Sequence, residues 1–415
     1  MPGRSLARRR VRALALLLLL VIAVPGVGVA APGPSDLIGG RSVAAEPELA
    51  ANAPEVSAPA GVLVTSDGRR LWERDADAER DMASTTKIMT ALVALERADL
   101  EDTATVSADA VAVGGSSAGL KAGQRVPVRT LLEAMLVCSA NEAAVTLAEH
   151  VAGSVPAFVD LMNAKADSLG LRHTSFTNPH GIDEPGHHAS AGDLSTLARV
   201  ALDDPVFAET VAAESVTVPR PGGGSERYEN TNQLIGAYSG ATGVKTGWTD
   251  AAGYCLVASA ERDGIGLVAV VLDAQSEKER LKDARALFNW GYEHYAPVEL
   301  VSAETTAALV TVSDYLDVTV PAVVAEPASA VLFDLDGPVV LEADVSSTAQ
   351  APIEAGQVLG TVSCLQNGRV IAQVPAVAAH SVPEPDPLDA VGIWFTRLWR
   401  RVFGGQIEAA PVSVM

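Results

Sequence analysis

The sequence predicts two folded domains, an α+β domain followed by a small all-β domain. Its 415 residues exceed the length that one hydrophobic core usually organises. Between residues 60 and 297, runs with apolar residues at helical spacing alternate with short apolar strands. Between residues 298 and 380, short β-branched runs are separated by turn residues, which is typical of an all-β domain of ordinary size.

The first residues are typical of an export signal. Residues 1–31 combine five arginines, an apolar stretch from Ala13 to Val24 and a small-residue exit. The apolar stretch is too short to span a bilayer comfortably, and an uncleaved membrane anchor is the alternative interpretation. Residues 32–59 are rich in Ala, Pro, Gly and acidic residues without periodicity, which predicts a flexible spacer.

The net charge argues against one class of partner. The chain carries a formal charge of −21, and removal of the leader with its five arginines, the only charged residues there, would bring it to −26. Phosphate binding needs clustered Lys and Arg, so we expect no nucleic-acid partner. The three widely spaced cysteines, Cys138, Cys255 and Cys364, predict buried free thiols instead of a disulfide framework or a zinc site.

The α+β domain opens with a hairpin that leads into a helix carrying a candidate nucleophile. Residues 61–65 and 71–73 have the pattern of two strands joined by a tight turn. Ser84 then stands three positions before Lys87 at the head of an apolar helical run. Residues three apart share one helix face, so a Lys87 amine that burial makes easier to deprotonate could activate the Ser84 hydroxyl. Alone the pattern is weak, because it also occurs on ordinary helix surfaces.

A second serine pattern, Gly115-Ser-Ser-Ala-Gly119, matches the nucleophile elbow of another hydrolase class, but we reject that interpretation. An elbow needs a strand before the serine and a helix directly after it. A turn follows here, so we interpret Ser116 and Ser117 as loop residues that could line a pocket.

Five more helices are predicted from apolar residues at helical spacing. They span residues 129–137, 142–151, 157–169, 193–202 and 277–292. Two short apolar runs, residues 254–260 and 265–272, predict central strands. Ser139 and Asn141 lie at the junction of the first two of these helices, where helix capping is the alternative to a role in a site.

The histidines invite a metal interpretation that the sequence does not support. His180, His187 and His188 lie close together in the chain, but no further ligand recurs at helical spacing to complete a set. We therefore expect neither a metal site nor a cofactor.

The last predicted element is an amphipathic helix over residues 388–404, which follows a proline-rich hinge at residues 381–387 and precedes a tail, residues 405–415. Its apolar face, flanked by tryptophans, lies opposite Arg397, Arg400 and Arg401, a pattern typical of a helix lying in a membrane interface. The alternative is a helix packed on the β-domain.

Three separated polar motifs, Ser84-Thr-Thr-Lys87, Ser139-Ala-Asn141 and Lys245-Thr-Gly247, together resemble those of a known enzyme family. In this order, and in an exported chain, they are similar to the penicillin-recognising serine enzymes, most closely the low-molecular-weight D-alanyl-D-alanine carboxypeptidases. The resemblance covers about residues 60–295. Flanking matches include Leu120-Lys-Ala-Gly, Asn178-Pro-His-Gly-Ile-Asp183, His188-Ala-Ser-Ala-Gly-Asp-Leu194 and Asn230-Thr-Asn. It implies the fold of the β-lactamases and penicillin-binding proteins, with helices on both faces of a mostly antiparallel sheet.

The resemblance also implies a catalytic role for three residues. Ser84 would form the acyl-enzyme, Lys87 would accept its proton, and Ser139 would relay a proton to the departing D-alanine. Ala140 stands where many relatives have glycine, and we expect little consequence unless the backbone there needs a positive φ.

The resemblance implies that five further residues bind substrate. Asn141 would hydrogen-bond the peptide backbone, while Lys245 and Thr246 would bind the terminal carboxylate. Gly247 would let the substrate lie along the strand edge. The backbone N–H of Trp248, together with that of the nucleophile, would form the oxyanion hole.

The implied activity is removal of the terminal D-alanine from peptidoglycan stem peptides outside the cytoplasm, at the membrane face, in the periplasm or in the cell wall. β-Lactams would act as slow covalent inhibitors. A serine β-lactamase would need a deacylation base such as the glutamate of a Glu-x-x-Leu-Asn segment, which the sequence lacks. A serine glutaminase would not carry an export leader, and a silent wall-binding module would have lost Ser84 or Lys87.

Overall fold

A computed structural model describes residues 53–404, and the chain within them divides into two units. The larger unit contains residues 53–300 and 329–339, and the smaller unit contains residues 301–328 and 340–404. The segment predicted as an all-β domain is therefore shared between the two units. The predicted leader, most of the predicted spacer and the tail lie outside the described residues.

Strands and α-helices are each numbered in chain order within residues 53–404. The strands are β1 (Ala60–Thr65), β2 (Arg70–Arg74), β3 (Thr103–Thr105), β4 (Arg125–Pro127), β5 (Ser215–Pro219), β6 (Ser225–Glu229), β7 (Ala241–Thr249), β8 (Gly253–Arg262), β9 (Ile265–Ala274), β10 (Tyr295–Val301), β11 (Thr306–Val312), β12 (Thr319–Val324), β13 (Ala328–Phe333), β14 (Val339–Val345), β15 (Thr348–Ala349), β16 (Val358–Gln366) and β17 (Arg369–Ala378). The helices are α1 (Lys87–Arg97), α2 (Ala108–Ala112), α3 (Val128–Val137), α4 (Asn141–Ala152), α5 (Val155–Ser168), α6 (Ala191–Leu202), α7 (Pro205–Ala212), α8 (Glu277–Glu293) and α9 (Pro387–Phe403).

The larger unit is built on a five-stranded antiparallel sheet in the order β2-β1-β9-β8-β7. Successive strand residues point to opposite faces. Val268 and Val270 of β9 accordingly lie in a core with helices α1 and α3 to α7. Leu267 and Val271 lie in a second core with Phe288 of α8. The predicted α+β fold, with helices on both faces of an antiparallel sheet, is confirmed.

Helix α1 is buried nearly all round, as its sequence predicts. Its first eight residues, from Lys87 to Ala94, are all buried. The regular helix begins at Lys87, because Ala83–Thr86 form a turn of 3-10 helix that holds Ser84. The position of β7 at the sheet edge, beside this turn, determines where a site can form.

Folded structure begins earlier than the sequence predicts. The backbone N–H groups of Ser57 and Ala58 donate to the carboxylate of Asp283, at 3.0 and 2.8 Å, and the carboxylate is fully buried. Val56 is also buried. Residues 56–58, which we assigned to the flexible spacer, are therefore held in the larger unit, with Val56 and Ala58 in its core.

Several elements of the larger unit were not predicted, among them α7 and the hairpin β5–β6. Helix α7 begins with Asp204, whose carboxylate caps the N–H groups of Val206 and Phe207. The strands β5 and β6 pair across the Gly-rich segment at residues 222–224. The predicted helices and the hairpin β1–β2 are confirmed within a few residues.

The smaller unit is all-β apart from its last helix, in agreement with the sequence. Its six strands pair in the order β14-β16-β17-β12-β11-β15. Helix α9 has no buried residue, and its large apolar side chains are exposed. No helix in residues 53–404 is long and apolar enough to cross a bilayer.

The three cysteines are free thiols, as predicted. Cys255 and Cys364 are buried, whereas Cys138 is half-buried.

Candidate active site

Ser84 lies on a backbone turn of unusual conformation. Ala83, directly before it, has φ +47°, in the left-handed region that non-glycine residues rarely adopt. Two threonine hydroxyls support the turn, because Thr85 Oγ1 donates to Met82 O at 2.7 Å and Thr86 Oγ1 donates to Ala83 O at 2.8 Å. Ser84 is half-buried between buried neighbours. The turn therefore presents one hydroxyl from an otherwise buried segment.

Lys87 is fully buried, and its amine contacts the Ser84 hydroxyl. Lys87 Nζ donates to Ser84 Oγ at 2.8 Å, to Asn141 Oδ1 at 2.7 Å and to His180 O at 2.6 Å. Burial, and then the charge of Lys245, lower the pKa of Lys87 well below its usual value. A lysine that loses its proton easily, at hydrogen-bond distance from a serine, can act as its general base.

Ser139 and Asn141 lie where α3 ends and α4 begins, but neither side chain caps a helix. The residue at the N-cap of α4 is Ala140, which has φ −58°, so alanine is tolerated there as expected. Ser139 instead has φ +65°, a strained value for a residue with a side chain. Asn141 Nδ2 donates to Gly114 O at 2.8 Å, and its Oδ1 accepts from Lys87. The capping alternative is therefore wrong.

A buried glutamate fixes the loop that contains the rejected elbow pattern. Glu142 Oε1 accepts from Ser117 Oγ at 2.7 Å and from Ala118 N at 2.8 Å. Asn141 N donates to Ser116 O at 2.8 Å. Neither strand nor helix flanks these serines directly, which confirms the loop interpretation. Ser116 lines the cleft described below.

The third motif lies on β7. Lys245 is buried, its Nζ donates to Thr246 O at 3.1 Å, and burial lowers its pKa to about 7. Thr246 Oγ1 donates to Thr231 Oγ1 at 2.7 Å. A Cβ on Gly247 would lie 2.9 Å from Met82 O, so a larger residue would push β7 away from the serine turn.

These residues surround a cleft of about 370 Å³. Its lining includes five of the predicted site residues: Ser84, Ser139, Thr246, Gly247 and Trp248. The other three, Lys87, Asn141 and Lys245, are buried beside the cleft instead of lining it. Trp248 is exposed at the rim and stacks on Tyr254 with ring centroids 5.9 Å apart.

Sequence reasoning missed a buried arginine in the wall of the cleft. Arg280 is contributed by α8 and is only 5% exposed. Its Nη1 donates to Gly247 O at 3.1 Å and its Nη2 to Glu277 Oε1 at 3.0 Å.

The histidine-rich segment contributes a backbone atom to the site. His180 O accepts from Lys87 Nζ, while burial lowers the pKa of the His180 ring to about 3. Within residues 53–404, no three His, Cys, Asp or Glu side chains are grouped as metal ligands would be.

Comparison with protein families finds two matches. The family model of D-alanyl-D-alanine carboxypeptidase matches residues 47–276, and that of the penicillin-binding protein 5 C-terminal domain matches residues 295–384. The chain is 34% identical to D-alanyl-D-alanine carboxypeptidase DacF of Bacillus subtilis, over 78% of this chain and 86% of the relative. It is 33% identical to DacC of Escherichia coli, over 85% of this chain and 89% of the relative.

Solved structures agree with these matches. The D-alanyl-D-alanine carboxypeptidase DacD of Francisella tularensis superposes with a TM-score of 0.58 at 27% identity, over 82% of this chain and 98% of that one. A Streptomyces DD-transpeptidase superposes with a TM-score of 0.56 at 32% identity, over 58% of this chain and 98% of that one.

Proposed function

The chain belongs to the D-alanyl-D-alanine carboxypeptidase family, and on that premise we propose that it removes the terminal D-alanine from peptidoglycan stem peptides through an acyl-enzyme on Ser84. It is a serine hydrolase. The observation that carries the assignment of the nucleophile is the 2.8 Å contact between the fully buried Lys87 Nζ and Ser84 Oγ.

Acylation follows from that contact. Neutral Lys87 takes the Ser84 proton as Oγ attacks the carbonyl carbon of the penultimate D-alanine. Ser139, which lines the same cleft, relays that proton from Lys87 to the amine of the departing D-alanine, and Lys87 becomes neutral again. Water then attacks the ester and releases the shortened peptide.

In this proposal the protein binds two negatively charged groups of the substrate, the oxyanion of the transition state and the terminal carboxylate. The oxyanion that forms on the attacked carbonyl accepts from the backbone N–H groups of Ser84 and Trp248. The terminal carboxylate binds at Lys245 and Thr246, with Arg280 as a further cation in the cleft wall.

The substrate backbone lies along β7 in this proposal. This strand is at the edge of its sheet, and Gly247 lets it pack close to the serine turn beside the cleft. Asn141 already uses Oδ1 and one N–H within the protein, so its second Nδ2 proton is the one assigned to the substrate.

Release of D-alanine from a peptide that ends in D-Ala-D-Ala tests this function. We expect release by the wild-type protein and none above background from Ser84→Ala. Ser116→Ala is the matched control, since Ser116 lines the same cleft but receives no chemical role. Equal release by wild type and Ser84→Ala would overturn the assignment of the nucleophile.

β-Lactams are proposed to acylate the same serine. Their acyl-enzyme should persist, because the sequence lacks the Glu-x-x-Leu-Asn segment that supplies a deacylation base in one class of β-lactamase.

We propose that the protein is exported through residues 1–31 and contacts the membrane through α9, and that it trims the wall that determines cell shape. The support for membrane contact is an apolar face that is exposed along its whole length. Its large exposed apolar residues are Leu388, Val391, Trp394, Phe395, Leu398, Trp399, Val402 and Phe403. Arg397, on the opposite side of α9, donates to Ser313 O and Tyr315 O. The polar face is therefore attached to the smaller unit, and the apolar face is available to contact lipid.

Vesicle sedimentation of the chain without its leader tests the membrane contact. We expect binding by that chain and loss of binding when residues 388–415 are deleted. The double variant Trp394→Ser, Trp399→Ser should weaken binding without touching the arginines. Unchanged partitioning after the deletion would contradict the proposal.

A further inference from the structure

His187 is a buried residue that the proposed mechanism does not use. It is 3% exposed and packs edge-to-face on Phe176, with ring centroids 6.0 Å apart. Its two ring nitrogens contact two different segments of the chain. Nε2 lies 2.7 Å from Thr86 Oγ1, and Nδ1 accepts from Thr177 N at 3.0 Å.

The protons in this region can be assigned from the partners alone. A backbone N–H can only donate, so Nδ1 of His187 is the acceptor and Nε2 carries the ring proton. Nε2–H therefore donates to Thr86 Oγ1. The single proton of Thr86 is then free to donate to Ala83 O, which lies 2.8 Å away. Thr177 Oγ1 does not compete for the ring, because it donates to Glu184 Oε2 at 2.9 Å.

The chain of hydrogen bonds ends on the peptide group that contains the nucleophile's amide. Ala83 C=O and Ser84 N–H belong to one planar peptide, so fixing the direction of the oxygen also fixes the direction of the N–H. This peptide follows the positive φ of Ala83, a conformation that persists only where the surroundings support it.

Two glycines from other segments, Gly181 and Gly247, pack closely against the same peptide. A Cβ on Gly181 would lie 2.0 Å from Ala83 O, and a Cβ on Gly247 would lie 3.1 Å from Ser84 N. Gly181 thus packs closest to the oxygen of this peptide, on the segment that leads to His187, and Gly247 of β7 packs beside Ser84 N at the cleft.

We propose that His187 is a positioning residue for the oxyanion hole. Through Thr86 it holds the Ala83–Ser84 peptide so that Ser84 N–H stays directed at the substrate carbonyl. His187 does not line the cleft, so it acts only through Thr86. The inference rests on the proposed function, because it takes Ser84 as the nucleophile.

The test is the rate of acylation by a penicillin, with the limiting rate separated from the dissociation constant of the initial complex. Thr86→Val removes the hydroxyl at nearly constant volume, and Thr86→Ser keeps it. We expect Thr86→Val to lower the limiting rate about tenfold, less than the 10²- to 10³-fold cost of removing an oxyanion donor outright. The dissociation constant should stay unchanged, and Thr86→Ser should stay within about threefold of wild type.

A second pair of variants addresses His187 itself. His187→Leu removes both ring nitrogens, whereas the amide of His187→Gln can still donate to Thr86 Oγ1. The first should acylate about tenfold more slowly and the second should recover most of that loss. Equal rates for Thr86→Val and wild type, equal losses in Thr86→Val and Thr86→Ser, or a change confined to the dissociation constant would each overturn the proposal.

Folding and the identity of the nucleophile are checked separately. Should the Val or Leu variant fail to unfold cooperatively on heating, His187→Gln is compared with His187→Asn, which is one methylene too short to reach Thr86. A slower Asn variant supports the proposal and equal rates overturn it. A wild-type protein that shows no adduct on Ser84 would instead overturn the proposed function.

Discussion

Two buried lysines beside the same cleft differ in what their amines contact. Burial lowers the pKa of both Lys87 and Lys245. Lys87 Nζ donates to three protein oxygens, one from each of three separate segments. Within residues 53–404, Lys245 Nζ has one hydrogen bond, to Thr246 O at 3.1 Å.

Burial alone therefore does not determine the role of a lysine. A neutral amine has two N–H donors and one lone pair, so with Asn141 Oδ1 and His180 O as acceptors the lone pair of Lys87 is left for the Ser84 hydroxyl. Lys245 has donors left over in a buried place, where unpaired polar groups are costly. An anionic substrate group would satisfy them, in agreement with the proposed roles of Lys87 as the base and Lys245 as the carboxylate site.

The largest expected effect comes from removing the base. Lys87→Met should lower the rate of penicillin acylation by about 10³-fold, since a positioned general base contributes 10²- to 10⁴-fold. Stopped-flow measurement of acylation would give this rate, with the exposed Lys121→Met as control. A smaller loss in Lys87→Met than in Lys245→Met would invert the comparison.

Gly247→Ala should displace Lys245 and leave Lys87 in place. The new Cβ would lie 2.9 Å from Met82 O, so β7 must move away from the serine turn. A misplacement near 1 Å can cost about 10²-fold in rate. Gly392→Ala in α9 is the control, because nothing lies within 4 Å of its Cβ. Hydrolysis of the D-Ala-D-Ala peptide at the wild-type rate by Gly247→Ala would show that the close approach of β7 is not needed.

Removing the charge of Lys245 should matter only for substrates with a terminal carboxylate. Lys245→Gln should lower kcat/KM about 10- to 100-fold, the range expected for one hydrogen bond to a charged group. With the peptide amide as substrate, wild type and variant should differ by less than threefold, a negligible free energy. An equal loss on both substrates would argue that Lys245 serves the chemistry and not the carboxylate.

The pH dependence of kcat/KM should show the smallest difference between the two lysines. Lys87 acts as a base only when neutral, so activity should rise with pH through its lowered pKa. Lys245 binds the carboxylate only when charged, so activity should fall about tenfold per pH unit above its pKa of about 7. Lys245→Arg should move the alkaline limb of the kcat/KM profile upward, because arginine stays charged. An alkaline limb that does not move would assign it to another group.

Local periodicity was sufficient to predict the contact between Ser84 and Lys87. Both lie within one turn of helix, and the apolar residues that follow them predicted burial correctly. The edge position of Gly247 is different, because it depends on the order of strands that lie far apart in the sequence. The motif resemblance supplied what periodicity could not.

Contacts that depend on tertiary packing could not be predicted from the sequence. Arg280 reaches the cleft because α8 begins beside β7, and no local pattern encodes that contact. His187 looked like a weak metal ligand, since its role depends on which ring nitrogen is protonated. The missed helix α7 is different, because Asp204 followed by Pro205 is a helix-start signal that was available.

The central claim is that Ser84 is the acylated nucleophile, and intact mass tests it most directly. The intact mass of the chain without its leader and without residues 388–415 would be measured before and after incubation with a penicillin, with the Ser84→Ala variant in parallel. We predict one persistent adduct on the wild-type protein and none on the variant. An adduct that survives in Ser84→Ala, or rapid penicillin turnover with no adduct on the wild type, would contradict the account.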